Sequence, residues 1–541
     1  MSNTPENDDK KGVSRRTFLH RAGVGAAAVA AGIPTFTITA LGQAGAGGSQ
    51  PTLVPGQVSP VRTTQGYRAI EELWGPHYSV RPHVTAQSLD KASGLTGLRR
   101  WNQISIDASG LDHTPVAPGE NRVFGEQVGP CRAARAIAVV HVAMFEALNA
   151  IVAKYESYTN LYPAPKKSSR EAAIAQAAHD SLVALFPSQK ASFDQKLAED
   201  LNALPNNKRK VNGIALGRTA ALAALGIRTN DHSSHSEPRV NVDFTCGDEA
   251  GKWRQDPVSQ HPLALGAKWA EVTPFVMESA SQFRLPPPPA MESAEYAAAF
   301  DEVKRLGGDG VITATERTED QFETGIYWAY DGTPSLCAPP RLYNQILVQL
   351  AEERNMNDID TARLLALANV AMADAGIASW DSKFFYQLWR PVGGIREADE
   401  GTGPTGTGDG NPDTVGDIGF MPLGAPASNL TGPNFTPPFP AYPSGHATFG
   451  GALFQTLRLV FGTDDYTFTF VSDELNGETV DNNGEVRPLK PRTFTSFSQA
   501  EEENGQSRIY LGIHWSFDKL GSVMGRQIAD YVFERAFRPL S

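Results

Sequence analysis

The sequence predicts an all-α fold in which two packed helical bundles form the protein and the second bundle carries the candidate site. From 131–155, apolar residues recur with the period of a helix, and alanine-rich amphipathic stretches follow it. Pro187 and Pro205 separate these stretches, as expected of residues that interrupt helices. The alternation typical of strands is nearly absent outside 465–472.

Each predicted helix follows from the same periodicity. The stretches concerned are 131–155, 168–185, 192–204, 208–227, 293–306, 313–330, 340–354, 358–389, 444–461 and 515–537. Residues 47–125 show no clear period, and 229–290 are loop-like. The stretch 399–440 is rich in Gly, Pro, Asn and Asp, and we expect it to be a long surface excursion.

Composition excludes several classes of function. The 541 residues are 41% hydrophobic and 20% charged, with a formal net charge of −12, which argues against nucleic acid or an anionic membrane as the main partner. Three cysteines are too few and too scattered for a disulfide framework or a thiolate metal site. No stretch after the N-terminal region reaches the roughly 18 uninterrupted apolar residues expected of a membrane span.

The N-terminus has the pattern of an export signal. Arg15 and Arg16 precede Phe18 and Leu19, then a mild apolar run and a small-residue exit. The paired arginines resemble the twin-arginine type, which predicts a periplasmic or secreted protein. The predicted organisation is therefore a signal over 1–46, an N-terminal helical half over 47–315 and an anion-binding helical bundle over 316–541.

Three short segments of the second half combine cations, a tight turn and histidines. In the first, Lys383 and Arg390 lie seven residues apart, so on a helix they would project from one face two turns apart. Burying both beside Trp380 would be costly unless an anion compensated them. Two solvated surface cations are the alternative for this segment taken alone.

The second segment is Ser444-Gly445-His446, which follows a proline-rich turn. Ser444 is placed to open a helix whose free backbone N–H groups suit an oxyanion. The positive end of that helix lowers the pKa of a histidine in its first turn and favours the neutral, proton-accepting form. His446 is therefore a candidate base, although such a tripeptide also arises by chance.

The third segment brings Arg508 and His514 close together, with Asp518 four residues further on. Asp518 could hold the His514 ring by its second nitrogen, as metal-bound histidines usually require. Taken alone, this segment could equally be a structural ion-pair cluster. Taken with the other two, it supplies cations, a hydroxyl and amides for a tetrahedral oxyanion, and two histidines for its opposite sides.

The order of these three segments resembles the signature shared by the vanadium haloperoxidases and the type-2 phosphatidic acid phosphatase superfamily. The segments YWAYDG at 327–332, PPRLYNQ at 339–345 and PPFPAYPSGH at 437–446 are similar to the chloroperoxidase branch of the haloperoxidases. The resemblance is clear over about 315–535 and diffuse over 100–315.

This resemblance implies a vanadate cofactor and a role for each residue of the site. His514 would bind vanadium, His446 would act as acid and base, and Lys383 would polarise the peroxide that a halide attacks. The residues that would hydrogen-bond the vanadate oxygens are Lys383, Arg390, Ser444, Gly445 and Arg508. Asp331 would orient the basic side chains. Hydrogen peroxide and halide are the implied substrates, and an organic acceptor could follow them.

Two aromatic positions bear on the halide. Trp380 and Phe439 match aromatic residues beside the vanadate in chloroperoxidase-type enzymes, whereas the algal bromoperoxidases carry a histidine in place of Phe439. An aromatic lining would keep water away from halide and peroxide, which favours chloride and bromide as substrates. Plain core packing is the alternative at each position.

Two other functions use the same residues. In a phosphatase of the same superfamily, His514 would attack phosphorus and form a phosphohistidine, and His446 would protonate the leaving oxygen. A non-catalytic anion-binding protein would need the cations but not the two histidines. The aromatic pair and the large helical N-terminal half favour the haloperoxidase.

Overall fold

Helices dominate the computed structural model, which describes residues 66–81, 91–117 and 119–540. Its fourteen α-helices and four short strands over those residues confirm the predicted all-α class. The helices are α1 (Ile70–Trp74), α2 (Gly97–Asp112), α3 (Pro130–Val152), α4 (Arg170–Leu185), α5 (Lys190–Ala203), α6 (Lys208–Gly226), α7 (Ala294–Leu306), α8 (Glu319–Tyr327), α9 (Pro339–Glu353), α10 (Asp358–Tyr386), α11 (Pro391–Arg396), α12 (Gly445–Phe461), α13 (Phe497–Tyr510) and α14 (Gly521–Arg535). The strands form two antiparallel pairs, β1 (Ser79–Val80) with β2 (Leu430–Thr431) and β3 (Phe468–Asn476) with β4 (Leu489–Phe494).

The long helix α10 joins two groups of helices. It packs on α3, which belongs with α4 and α6, and also on α12 and α14 of the second group. The Asn357 side chain accepts the N–H of Asp360 at its start, and Gln387 in the left-handed conformation ends it. Every residue from Ala362 to Lys383 is buried, because both groups cover it. Side chains at its C-terminal end therefore lie in the interior of the protein.

Two helices of the described residues, α3 and α10, are long and apolar enough to cross a membrane. In the most apolar part of α3, 94% of the residues are buried inside the protein. In the most apolar part of α10, 100% are buried. Their hydrophobicity is thus accounted for by the core, where alanine and leucine of one helix pack on those of the next.

The stretch 229–290 is a loop with one short 3-10 turn (Trp269–Glu271), as predicted. Buried polar groups hold it in place. Arg132 of α3 pairs with Glu237 at 2.7 Å, and the Asp374 carboxylate of α10 accepts three backbone N–H groups from 275–277. Such interactions satisfy polar groups that would otherwise be costly to bury. The loop is therefore a fixed wall over the helices.

The periodicity argument missed helices α1, α2, α11 and α13 and strands β1, β2 and β4. Helix α2 buries polar residues such as Asn102 and Asp107 along with its apolar ones, and α13 buries Glu501 and Asn504. Helix α13 has no continuous apolar stripe, so it does not show the period from which a helix is predicted. In α2, Leu98, Trp101, Ile104 and Ala108 do lie at helical spacing, but polar residues are buried between them. Strand β4 has one buried residue, Phe494, and its register with β3 is irregular.

The predicted surface excursion is wrong for its second half. Residues 399–419 are largely exposed, but most of 420–440 is buried, including Phe420, Leu430 and Phe435. The aromatic and proline side chains of this half pack against the helices, and β2 pairs with β1. The predicted export signal at 1–46 lies outside the described residues, and the division at 315 stays a prediction.

Candidate active site

Residues of the second and third segments line one cavity, and Arg390 of the first segment contacts His514 in its wall. Its wall includes Gly445 and His446 at the start of α12, Arg508 on α13 and His514 beyond α13. Trp380 of α10 contributes an aromatic side. All of these residues lie in the second half of the chain, where the sequence predicts the candidate site.

Lys383 is fully buried on the last turn of α10. Its Nζ donates to the carbonyl oxygens of Pro440, Ala441 and Pro443, at 2.9, 2.9 and 2.5 Å. Burial and the Arg390 guanidinium lower the pKa of Lys383, but a neutral amine has only two hydrogens to donate. Three acceptors require the ammonium, so we assign the charged form. The lysine fixes the turn that leads into α12.

Arg390 does not lie on the same helix as Lys383, and the predicted helix to 389 is wrong in this respect. Helix α10 ends at Tyr386, and Arg390 is the residue before α11. Its guanidinium nevertheless reaches the site, where it donates to the Phe439 and Ile513 carbonyls at 2.8 Å each. Burial lowers the pKa of Arg390 to about 9.

The start of α12 provides the amides that the sequence predicted. Ser444 is the N-cap, and its Oγ accepts the N–H of Ala447 at 3.4 Å, which leaves the hydroxyl hydrogen available to donate. The N–H groups of Gly445 and His446 lie in the first turn, where helical acceptors are lacking. A Cβ on Gly445 would lie 3.1 Å from the Trp380 ring, so glycine permits the indole to pack against this turn.

His446 is buried and neutral. Burial and then Arg508 lower its pKa well below the usual value. Its Nε2 lies 2.5 Å from the Ala329 carbonyl oxygen, which can only accept, so Nε2 carries the hydrogen and Nδ1 keeps a lone pair. Nδ1 has no partner among the described residues. His446 can therefore accept a proton at Nδ1.

Arg508 is fully buried and is neutralised on one side by Asp331. Its Nη2 donates to both carboxylate oxygens, at 2.6 and 2.8 Å. Burial raises the pKa of Asp331, while the adjacent guanidinium opposes that shift. Asp331 therefore contacts a basic side chain of the site, and its role in orienting that side chain stays a prediction.

His514 has the opposite tautomer to His446. Its Nδ1 donates to Asp518 Oδ2 at 2.6 Å, which leaves the lone pair on Nε2, where Arg390 Nη1 donates at 2.8 Å. Burial, followed by Arg390, lowers the pKa of His514. The predicted helix from 515 would place His514 and Asp518 on one helical turn. In the structure the two residues do not share an α-helix. A 3-10 turn (Ser516–Leu520) precedes α14 and brings the Asp518 carboxylate back to the ring.

The site contains buried donors that fit a tetrahedral oxyanion. Arg390 Nη2 and Arg508 Nε and Nη1 have no hydrogen-bond partner in the described part of the chain. An unpaired buried donor costs about 1–3 kcal/mol, and more when it is charged. The positive charge of Lys383, Arg390 and Arg508 also exceeds what Asp331 and Asp518 offset. A bound oxyanion would supply the missing acceptors and the missing charge.

An aromatic pair covers the cations. The rings of Trp380 and Phe439 are tilted with centroids 4.8 Å apart, and Trp380 Nε1 donates to the Leu265 carbonyl at 3.0 Å. Lys383 Nζ lies 5.1 Å and the Arg390 guanidinium 5.0 Å from the Phe439 centroid. These distances permit cation–π attraction of about 0.5–2 kcal/mol each.

Some residues of the site carry no motif. Tyr343 Oη and Asn504 Nδ2 both donate to the backbone oxygen of His446, at 3.2 and 2.9 Å, and so hold the first turn of α12. Ala329 contributes only its carbonyl. Tyr343 and Ala329 lie within segments that resemble the haloperoxidases, but nothing in the sequence shows that they touch His446.

Histidines outside the three segments have structural surroundings. His141 is buried on α3 with Nε2 3.1 Å from Asn102 Oδ1, as expected of a core histidine. His232 is exposed as predicted, but His235 is partly buried against Trp269 and Arg132. The prediction of an exposed His235 is therefore wrong.

Comparisons with known proteins agree with this geometry. The family described as "VCPO second helical-bundle domain" matches residues 363–541. Vanadium chloroperoxidase from Curvularia inaequalis is 31% identical over 495 residues, which cover 77% of this chain and 78% of that protein. The chain is thus similar to that relative in both helix groups.

Solved structures show the same fold. The structure titled as the first bacterial vanadium-dependent iodoperoxidase matches with a TM-score of 0.63 and 25% identity, over 86% of this chain and 99% of that one. A holo-type bacterial vanadium-dependent chloroperoxidase matches with a TM-score of 0.56 over 79% of this chain and 94% of that one, and at 16% identity it supports the fold alone. This chain therefore belongs to the vanadium-dependent haloperoxidase family, whose cofactor is vanadate.

Proposed function

We propose that this haloperoxidase oxidises chloride and bromide with hydrogen peroxide to hypohalous acid. The observation that carries the proposal is the aromatic pair of Trp380 and Phe439 over the cations of the site. Chloride gives up electrons less readily than bromide or iodide, so its oxidation needs an environment from which water is excluded. The chloroperoxidase named among the relatives supports the same choice.

The residues of the site can take different roles in the reaction. His514 Nε2 would bind vanadium, and the unpaired donors of Arg390 and Arg508 would hold the oxygens. Vanadate, when bound, supplies a Lewis acid that activates hydrogen peroxide. His446 Nδ1 is placed to take a proton from the incoming peroxide and to return it later. Halide, hydrogen peroxide and one proton give hypohalous acid and water.

Lys383 contributes a fixed positive charge beside the aromatic pair. Its ammonium is held by the turn 440–443 and lies 5.5 Å from the Trp380 ring centroid. A halide drawn to this place would meet a cation and two aromatic side chains. Because its three hydrogens are donated to carbonyl oxygens, we infer that Lys383 acts on halide and peroxide through its charge alone.

The halide proposal is tested by the purified protein loaded with vanadate. Chloride, bromide and iodide are supplied separately with hydrogen peroxide, and the hypohalous acid is trapped with taurine. We expect turnover with all three halides, with chloride the slowest. Turnover with iodide alone would contradict the proposal and leave the haloperoxidase assignment intact.

Replacing Phe439 by histidine should lower the ratio of chloride to bromide turnover. The imidazole brings water and a dipole to the place where the ring now covers both cations, which raises the barrier for the less reactive halide. About 1.4 kcal/mol would change the ratio about tenfold. Steady-state rates at saturating peroxide give this ratio. Phe439→Leu, which stays apolar, is the control and should change it less than threefold; equal effects of the two variants would contradict the explanation.

Asp518→Asn should weaken the binding of vanadate by about 10- to 100-fold. The carboxylate accepts the Nδ1–H of His514 at 2.6 Å, which fixes the tautomer and makes Nε2 a better ligand. The affinity is measured by calorimetric titration of vanadate into the metal-free protein. Asp464→Asn removes a carboxylate that pairs with Arg458 elsewhere and should change the affinity less than twofold. An unchanged affinity in Asp518→Asn would remove Asp518 from the site.

A further inference from the structure

The cavity extends beyond the anion-binding residues to a second wall. Trp74 of α1, His261 of the loop 229–290 and Phe435 meet there, and each is at most 4% exposed. The Trp74 ring lies 5.8 Å from the His261 ring and 5.0 Å from that of Phe435. None of the three belongs to a motif, and none contacts the cations of the site. We call these three residues the outer wall.

Trp74 has an unpaired donor in this wall. Its indole Nε1 finds no hydrogen-bond partner in the ranges that the structure describes, although the side chain is only 3% exposed. Buried indole N–H groups usually have a partner, because leaving one unpaired costs about 1–3 kcal/mol. An acceptor atom from a ligand in the cavity would satisfy it.

His261 presents a second donor. Burial lowers its pKa to about 3, so the ring is neutral. Its Nδ1 accepts the backbone N–H of Leu263 at 3.4 Å, which leaves the hydrogen on Nε2. Within the described residues, that Nε2 has no acceptor. Two N–H donors thus stand on rings whose centroids are 5.8 Å apart.

Most of the remaining side chains that line the cavity are apolar. The apolar lining residues are Leu73, Val128, Leu265, Pro437, Pro438 and Phe449. A flat apolar ligand with one oxygen acceptor matches this lining and the two donors, whereas a halide ion would use the donors alone.

We propose that the outer wall binds the organic halogen acceptor as an electron-rich aromatic compound, with its phenolic oxygen on Trp74 Nε1–H and His261 Nε2–H. This inference rests on the proposed function, because the site supplies the hypohalous acid. The halogen passes to a ring carbon as the carbon–halogen bond forms and the oxygen–halogen bond breaks. The ring proton combines with the departing hydroxide, so the phenol and hypohalous acid give halophenol and water.

Residues 435–439 connect the outer wall to the aromatic pair of Trp380 and Phe439 over a short distance. Phe435 packs on Trp74, and Phe439, four residues later, packs on Trp380. Four residues span at most about 14 Å even when fully extended. A bound ring therefore lies near enough to meet the oxidised halogen before it diffuses into solvent.

The binding of a phenol to the outer wall can be measured without any peroxidase activity. The protein is saturated with phosphate so that the cations are occupied, and 4-nitrophenol is titrated in while its phenolate absorbance is followed. We expect saturable binding that Trp74→Phe weakens about tenfold, because one hydrogen bond to a charged oxygen is lost. Nitrobenzene, which lacks the phenolic oxygen, should bind the wild type and Trp74→Phe with affinities within twofold of each other.

A matched control distinguishes the loss of the Trp74 hydrogen bond from a general effect of removing a buried indole. Trp269 is also buried with an unpaired Nε1, but it is not part of the cavity wall. Trp269→Phe should bind 4-nitrophenol as the wild type does. Equal weakening in both variants, or no weakening in Trp74→Phe, would overturn the inference.

Activity gives a second and independent readout. With vanadate, bromide and peroxide, Trp74→Phe should raise the KM for phenol about tenfold and the KM for bromide less than twofold. A larger change in the bromide KM would identify the outer wall as a halide site and overturn the inference. Failure of all halogenation in the wild type would instead contradict the proposed function, while the nitrophenol titration would still decide on the outer wall.

Discussion

His446→Ala is expected to lower kcat for bromide oxidation by about 10²- to 10⁴-fold, the range of a positioned acid–base group. The neutral imidazole offers a lone pair at Nδ1 because Nε2–H is held by the Ala329 carbonyl. His514 cannot replace it at this position, since His514 uses Nε2 toward Arg390 and the anion site. Without His446 the proton of hydrogen peroxide must pass to water.

The affinity for vanadate distinguishes the loss of proton transfer by His446 from the loss of the anion-binding site. The His446 side chain donates none of the bonds that the unpaired arginine donors can provide, so the affinity should fall less than about tenfold. Steady-state bromination and equilibrium titration are measured on the same preparation. A protein that only binds an anion would have no turnover to lose, and retention of more than a tenth of kcat would exclude His446 as the acid–base group.

Arg508→Ala is expected to weaken phosphate and vanadate binding by roughly 10²- to 10⁴-fold. Two guanidinium donors, Nε and Nη1, are unpaired within the described residues, and hydrogen bonds to charged groups are worth about 1.5–3 kcal/mol each. The substitution also leaves Asp331 buried without its cation, which costs about 3–5 kcal/mol of folding free energy.

A double variant distinguishes affinity from folding. Arg508→Ala with Asp331→Asn removes both members of the ion pair, and we expect most of the lost folding stability to return. The affinity for phosphate should stay low, because Asn supplies no cation. Denaturant unfolding and calorimetric titration measure the two quantities. Recovery of affinity in the double variant would show that Arg508 acts only by neutralising Asp331.

The helices that surround the site could be predicted where apolar residues are frequent along the sequence. In α3, α10 and α12 such residues recur, and the structure has helices there. Helices α2 and α13 bury polar side chains, whose partners lie far away in the chain. Arg508 on α13, for example, is satisfied by Asp331, which is 177 residues distant, and no local pattern reveals that contact.

The cations and histidines of the site could be named from the sequence because their chemistry is specific. Their geometry could not be derived in the same way. The sequence suggested that Lys383 and Arg390 share a helix face, whereas the chain turns at Gln387 and Arg390 reaches the site from a separate element. The outer wall was beyond prediction, because Trp74, His261 and Phe435 meet only through tertiary packing.

The distribution of the anion-binding residues along the chain has a consequence for folding kinetics. Lys383, Arg390, Ser444, Arg508 and His514 come from three segments, and Arg508 is held by Asp331, which is 177 positions away. Contacts so distant in sequence close late, because the entropy of the intervening loops opposes them. The cofactor therefore has nothing to bind in early intermediates, and we expect vanadate to accelerate neither collapse nor helix formation but only to slow unfolding.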